Sequence, residues 1–194
     1  MNAWRRFACL CCALVLGACA HPISMAPDMS KLDPPSAAAR SGTVGLYISA
    51  EDRTRQVTTP GGGGDKVSYY PYRDLESPIF KVLGNLYERV VVVQSPTDLE
   101  TLAKSGVSVI ARPAIITQSS SESALTWPPT FFQVQITCTV TDIAGAKVAE
   151  TFVTGTGRAE FSEFKSDLSL AAKRASEDAL RRTQSALAAE KRLQ

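Results

Sequence analysis

The chain has 194 residues, with 21 Lys and Arg against 19 Asp and Glu, 44% hydrophobic and 7% aromatic residues. That is the profile of an ordinary folded chain rather than a disordered or collagenous one. Its single histidine, His21, lies near the N-terminus, so the remainder carries neither a His-dependent triad nor a His-based metal site.

Residues 1–18 have the three parts of a secretory signal. Arg5 and Arg6 form a positive n-region, and Phe7 to Val15 form an apolar h-region that ends in small residues. The run is too short to span a hydrocarbon core of about 30 Å as a helix. Removing it takes away Arg5 and Arg6, leaving 19 basic against 19 acidic residues. The mature chain is thus near neutral, and the sequence pI of 8.3 is no argument for nucleic-acid binding. Cys9, Cys11 and Cys12 leave with the signal.

Leu16-Gly17-Ala18-Cys19 closes this segment, and it resembles the lipobox of bacterial lipoproteins. The resemblance implies signal-peptidase recognition of Leu16, Gly17 and Ala18. It implies a mature chain that begins at Cys19, with diacylglycerol on the thiol and an acyl group on the new amino terminus. Several acyl chains together give stable attachment where one is marginal. Ala20 stands where an inner-membrane-retaining Asp would be, so the resemblance further implies a periplasm-facing position on the outer membrane. No other cofactor is expected.

Residues 20–42, with Pro22, Pro27, Pro34 and Pro35 among Ala, Ser and Met, read as a flexible tether between Cys19 and a domain over 43–194. A coil of about 20 residues reaches roughly 25 Å. Thr43–Ile48 reads as the first strand, and a short strand is expected around Val57. Pro60 to Lys66 contains four consecutive glycines. Phosphate binding there fails on detail, because no Gly-Lys-Ser/Thr is present and no helix opens behind the glycines; a loop is expected. Tyr69, Tyr70 and Tyr72 follow, and tyrosine suits either a contact surface or a half-buried edge strand.

Asp74 or Ser77 can cap the next helix, with Pro78 in its first turn; Leu75, Ile79, Val82, Leu83 and Leu86 form its apolar stripe. Arg89–Gln94 has the β-branched run of a strand buried on both faces. A short helix over 95–105 should turn Leu99 and Leu102 inward. Val107–Ile116 is a strand whose Pro113 suggests a bulge or an edge. A serine-rich loop over 118–124 then leads to Trp127, Pro128, Pro129 and Phe131. Here a rigid aromatic serves either as an interface anchor or as a hydrophobic plug on the sheet.

Phe132–Thr141 and Lys147–Phe161 form a hairpin around Asp142–Ala146. Cys138 sits on its apolar face as a small hydrophobe. As the lone thiol beyond Cys19, it leaves no intramolecular disulfide. Gly155 and Gly157 mark a bulge or a close packing contact. From Ser166 to Leu193 one helix is expected, with Leu168, Ala172, Ala175, Ala179, Thr183 and Ala186 toward a sheet. The pairs Lys173–Glu177, Arg174–Asp178, Glu177–Arg181 and Asp178–Arg182 lie on its solvated side.

The expected fold is therefore α/β (α+β): a single domain with a mixed sheet, a long hairpin and two or three packed helices, the C-terminal one long. The lipobox, the hairpin Val140–Gly157 and the alanine-rich last helix are similar to those of YajG-like lipoproteins, the curli- and Pel-export lipoproteins, and the lipoprotein activators of penicillin-binding proteins. That resemblance implies a non-enzymatic accessory protein of an envelope assembly or export machine, contacting a protein partner or its own copies. Trp127, Phe131, Tyr69, Tyr70 and Tyr72 are the contact residues this reading selects. Two alternatives stand beside it. One is a small-ligand carrier, which needs an apolar pocket. The other is an envelope hydrolase using Glu51, Asp52, Asp65 and Asp74 as acid and base.

Overall fold

β2 (Arg40–Tyr47) is the strand around which the main sheet is ordered. Its residues Thr43 to Leu46 are buried without interruption, as a strand covered on both faces requires. On one side it pairs in parallel with β5 (Tyr87–Val93), and on the other in parallel with β6 (Val107–Ser120). β7 (Phe131–Asp142) and β8 (Lys147–Arg158) continue the sheet antiparallel, giving the order β5-β2-β6-β7-β8. The computed structural model describes residues 20–32, 39–122 and 128–193.

Among the described residues five α-helices accompany the strands: α1 (Ala50–Thr54), α2 (Pro71–Gly84), α3 (Leu99–Lys104), α4 (Phe161–Phe164) and α5 (Leu170–Ala189). This is the single α+β domain with a mixed sheet that the sequence implies. β7 alternates strictly, with Phe132, Val134, Ile136, Cys138 and Val140 buried. These side chains face α5, which lies along β7 and β8. The glycine pair sets the depth of that contact. A Cβ on Gly155 would overlap the backbone of Ala175 and Ala179, and one on Gly157 the backbone of Ala171 and Ala175. The glycines therefore mark a close packing contact, and Ala171, Ala172, Ala175 and Ala179 complete it from the helix side. Arg40 ties off the far end of α5 by donating to the Leu187 carbonyl at 2.8 Å and the Ala188 carbonyl at 3.0 Å, which offsets the negative pole of the helix.

The tether expectation is overturned over its described part. Ala20–Pro22 form a strand, β1, which pairs in parallel with β4 (Lys66–Tyr69); β4 pairs antiparallel with β3 (Val57–Pro60). Together they make a second, three-stranded sheet in the order β1-β4-β3. Beyond β1, Ile23, Met25 and Leu32 are buried in the main core. The Met25 amide donates to the Asp74 carboxylate at 2.8 Å, Asn85 donates to the Leu32 carbonyl at 3.1 Å, and Arg181 donates to the Lys31 carbonyl. Three apolar side chains placed between α2 and α5 offset an ordering cost that composition alone suggested the segment could not meet.

Other boundaries move for identifiable reasons. α2 starts at Pro71, whose missing N–H is harmless in the first helical position. Pro78 consequently lies inside the helix, and Asp74 serves the N-terminal segment rather than the cap. β5 is an edge strand with Val92 44% exposed, so its valine run is not doubly buried. β6 runs on through the serines to Ser120. Its Pro113 lies beyond Ala111, the last residue paired with β2. The Ile115 N–H on that same free edge is met by the Tyr72 hydroxyl, so Pro113 does sit at an edge. α3 buries Leu102 but leaves Leu99 57% exposed. The last helix begins only at Leu170, after a separate α4 whose capping box joins Glu160 and Glu163. Leu168 is consequently exposed. Glu177–Arg181 and Asp178–Arg182 form as spaced, whereas Lys173 pairs with Asp167 and Arg174 with Glu163.

Gly155→Ala and Gly157→Ala should each lower the stability of the domain by about 2–3 kcal/mol, because the helix must lift from the sheet. The check is the urea unfolding midpoint at constant slope. An unchanged midpoint would mean that α5 is not seated on the glycines.

Candidate interaction surface

Tyr69 ends β4, and strand alternation sends its side chain inward. It is 1% exposed, its ring meets Phe132 edge-on at 5.3 Å, and its hydroxyl lies 2.8 Å from Thr117 Oγ1 and 3.2 Å from Thr59 Oγ1. Burial raises its pKa above the usual phenol value. Tyr72, in the first turn of α2, is 5% exposed and accepts from the Ile115 N–H at 3.1 Å. These two residues are core, which corrects the expectation that they contact a partner. Tyrosine's mixed character is used inward here: the ring fills space while the hydroxyl satisfies β6 and β3.

Tyr70 and Phe131 remain half-buried at the surface. A guanidinium covers each ring, Arg73 at 3.9 Å from the Tyr70 centroid and Arg158 at 5.1 Å from that of Phe131. The ring contact between their two segments is made by the inward neighbours Tyr69 and Phe132. Trp127, Cys19, Leu16, Gly17 and Ala18 lie outside the described residues. The described flanks of the Trp127 segment are fastened to β8: Glu122 pairs with Arg158 at 2.7 Å, and the Ala159 amide donates to the Thr130 carbonyl.

A surface that sequence reasoning did not single out lies on the main sheet. Among the described residues, helices α2 and α5 pack on one face, and α3 covers only the Val93, Val107 and Ile110 corner of the other. Along β6, β7 and β8 the outward positions form rows set by the register. Ala114, Thr137 and Phe152 make one row, and Ile116, Gln135 and Thr154 the next. Phe152 is 64% exposed and Ile116 60% exposed. Two large apolar side chains in adjacent rows of an uncovered face, set among Gln and Thr, have the make-up of a contact surface. Alternation in the sequence predicts which side chains leave the core, but not whether a helix covers them.

The edge of β8 is partly blocked. The Thr156 amide donates to Asp178 at 3.1 Å, and the Arg158 carbonyl accepts from Arg174 at 2.7 Å. Arg174 also holds Glu163, whose pKa falls to about 2, first through that side-chain bond and then through the Glu160 amide. Such inward-turned charges on an edge oppose strand addition.

Of the four carboxylates, Glu51 and Asp52 lie on α1 and share Arg55, Asp74 lies on α2, and Asp65 lies in the β3–β4 turn. Asp52 meets Arg55 at 2.7 Å and accepts from Ser49, Glu51 lies 3.6 Å from Arg55, Asp74 accepts from the Met25 amide, and Asp65 lies 3.6 Å from the His21 imidazole. Among the described residues no group of three or more His, Cys, Asp or Glu could hold a metal. Cys138 is buried, and desolvation pushes its thiol up to about 12, so it is held in the protonated, poorly nucleophilic form. An open groove lined by Tyr47, Ile110, Arg112, Thr139 and Asp142 runs over the uncovered face. Between that sheet and α5 the glycine contact leaves no ligand-sized space at Gly155 and Gly157. No helix among the described residues is long and apolar enough to cross a membrane.

No protein-family model matches the chain, and no curated protein matches its sequence. Among solved structures, a DUF330 protein of Xanthomonas campestris is 10% identical at a TM-score of 0.45, covering 87% of this chain and 89% of its own. A minor lipoprotein of Acinetobacter baumannii is also 10% identical at 0.44, over 76% and 93%. A PelC dodecamer from Paraburkholderia phytofirmans is 19% identical at 0.40, over 75% and 92%. At these values the likenesses carry no function over to this chain.

Tyr72→Phe should cost about 1–2 kcal/mol, since the buried Ile115 N–H loses its acceptor. Tyr70→Phe, which removes a surface hydroxyl, should stay within about 0.5 kcal/mol. Thermal or urea unfolding of the two variants side by side checks the assignment; equal losses would contradict it.

Proposed function

We propose that the chain is a lipid-anchored envelope protein, held on the periplasmic side of the outer membrane through Cys19. In this reading it serves as a non-enzymatic subunit or activator of an envelope assembly or export machine. The observation that carries the reading is Leu16-Gly17-Ala18-Cys19 at the end of an n-region and h-region. The uncovered face bearing Ile116 and Phe152 supports a role exercised through contact with another protein chain, either a different protein or further copies of this one. Tyr70, Phe131 and Trp127 remain contact residues in this proposal; Tyr69 and Tyr72 do not.

Intact-mass measurement of the protein extracted from native membranes tests the anchor. The expected product begins at Cys19 and carries diacylglycerol plus an N-acyl group, while Cys19→Ala leaves the membrane fraction. A mature N-terminus elsewhere, or an unmodified thiol, would overturn the reading. For the contact face, Phe152→Glu and Ile116→Glu should change stability by less than about 0.5 kcal/mol and lower the particle mass extracted in mild detergent. An unchanged mass would move the contact away from this face.

A further inference from the structure

We propose that the end of the domain built from β1, the β3–β4 turn and α4 rests directly on the phospholipid surface that receives the Cys19 acyl chains. The inference depends on the lipidation of Cys19 proposed above, and it concerns what that attachment does to the fold. Cys19 is joined to Ala20 by one peptide bond, about 3.8 Å between Cα atoms. Ala20 is the first residue of β1 and stands opposite Lys66 of β4, about 4.8 Å away across the ladder. The backbone of Lys66 is therefore held within about 9 Å of the lipid-bearing residue. That is close to the depth of one headgroup layer, about 5–8 Å when the hydrocarbon core is subtracted from the whole bilayer.

No slack is available to lengthen this connection. The Ile23 amide donates to the Ser68 carbonyl at 2.9 Å, the Met25 amide donates to Asp74 at 2.8 Å, and both apolar side chains are buried. Freeing β1 to act as a leash would break those bonds and expose both residues. The tip nearest the anchor is also shaped for close approach. Gly61 donates to the Asp65 carbonyl and Asp65 to that of Gly62, so the turn is tied and its glycines present no bulky side chain. Lys66 is exposed and can extend its ammonium to a lipid phosphate while its stem stays on the apolar side. The acidic Asp65 at this tip lies 3.6 Å from the His21 imidazole.

The Ser119 hydroxyl donates to the Pro60 carbonyl, which places the β3–β4 turn at the end of the main sheet where Ser120, Phe131 and Arg158 are paired and from which α4 follows β8. Past the other end of β1, the Ser24 amide donates to Ser169 Oγ at 3.1 Å. Phe161 is 60% exposed with the Lys165 ammonium 5.3 Å from its ring, and Leu168 is 44% exposed. Aromatic, aliphatic and lysine side chains in this combination suit the headgroup boundary. The β7–β8 turn at Asp142–Ala146 lies at the opposite end of the sheet, eleven strand steps from Phe131, or about 37 Å.

The test uses the full mature lipoprotein in vesicles of phosphatidylethanolamine and phosphatidylglycerol that contain a headgroup-nitroxide lipid. Asp65→Cys, Ser162→Cys and Ala144→Cys are labelled singly with an environment-sensitive fluorophore. Labelling stays specific because Cys138 is buried and Cys19 carries lipid. Quenching at 65 and 162 should be at least threefold that at 144. Equal, weak quenching at all three sites on protein that floats with the vesicles would overturn the docked orientation alone. Protein that fails to float would overturn the anchor, and the docking with it.

Discussion

The constraint on which the rest of the structure depends is that the segment from Ala20 to Leu32 is built into the fold. β1 supplies the third strand of the small sheet, and the residues after it close the main core. Met25 is fixed by Asp74 at the start of α2, Leu32 by Asn85 at its end, and Lys31 by Arg181 on α5. A single N-terminal strap therefore links the helix that precedes β5 to the helix that ends the chain. Without it, the junction between α2 and α5 would lose three buried apolar side chains and several backbone partners. If Cys19 carries lipid as proposed, the anchor is one peptide bond from this strap, and the stability of the domain and its attachment are coupled through β1.

The second organising contact is the seat of α5 on Gly155 and Gly157. It draws the helix close along the hairpin, so α5 covers most of the apolar side of β7 and β8, with Tyr69 of β4 closing on Phe132 at one end. No helix among the described residues lies on the opposite face of the same strands, and Ile116 and Phe152 stand on it in adjacent rows. Asp178 and Arg174, held on α5 by its position over the glycines, reach across to cap the β8 edge. One packing decision thus closes one face, guards one edge and leaves one surface available. The bareness of that surface follows from where the helices are spent.

Much of this was legible in the sequence, and the parts that were not share a cause. The strict alternation from Phe131 to Val140 identified β7, and the turn Asp142–Ala146 its hairpin, because period 2 over ten residues has no helical counterpart. Gly155 and Gly157 read as either a bulge or a close approach, and only the position of α5 decides for the second. The resemblance of Leu16–Cys19 to a lipobox rests on the sequence alone, through its position behind a charged and an apolar segment. What failed was whatever depends on a distant partner. Ala20–Pro22 has no pattern that declares a strand until β4 is placed beside it, and the inward turn of Ile23 and Met25 depends on the same distant neighbours. Val90–Val93 reads identically at the centre and at the edge of a sheet. Tyr69 and Tyr72 could face water or Thr117 and Ile115, and only the tertiary neighbours decide which.

The central claim is that residues 20–26 are part of the fold, and backbone hydrogen exchange over that segment of the purified protein tests it most directly. The Ile23 and Met25 amides, bound to the Ser68 carbonyl and the Asp74 carboxylate, should be protected to the same degree as the amides of β4, opening only with the domain. Exchange at the rate of a free peptide, with β4 still protected, would show a leash where the structure has a strand and would contradict the account.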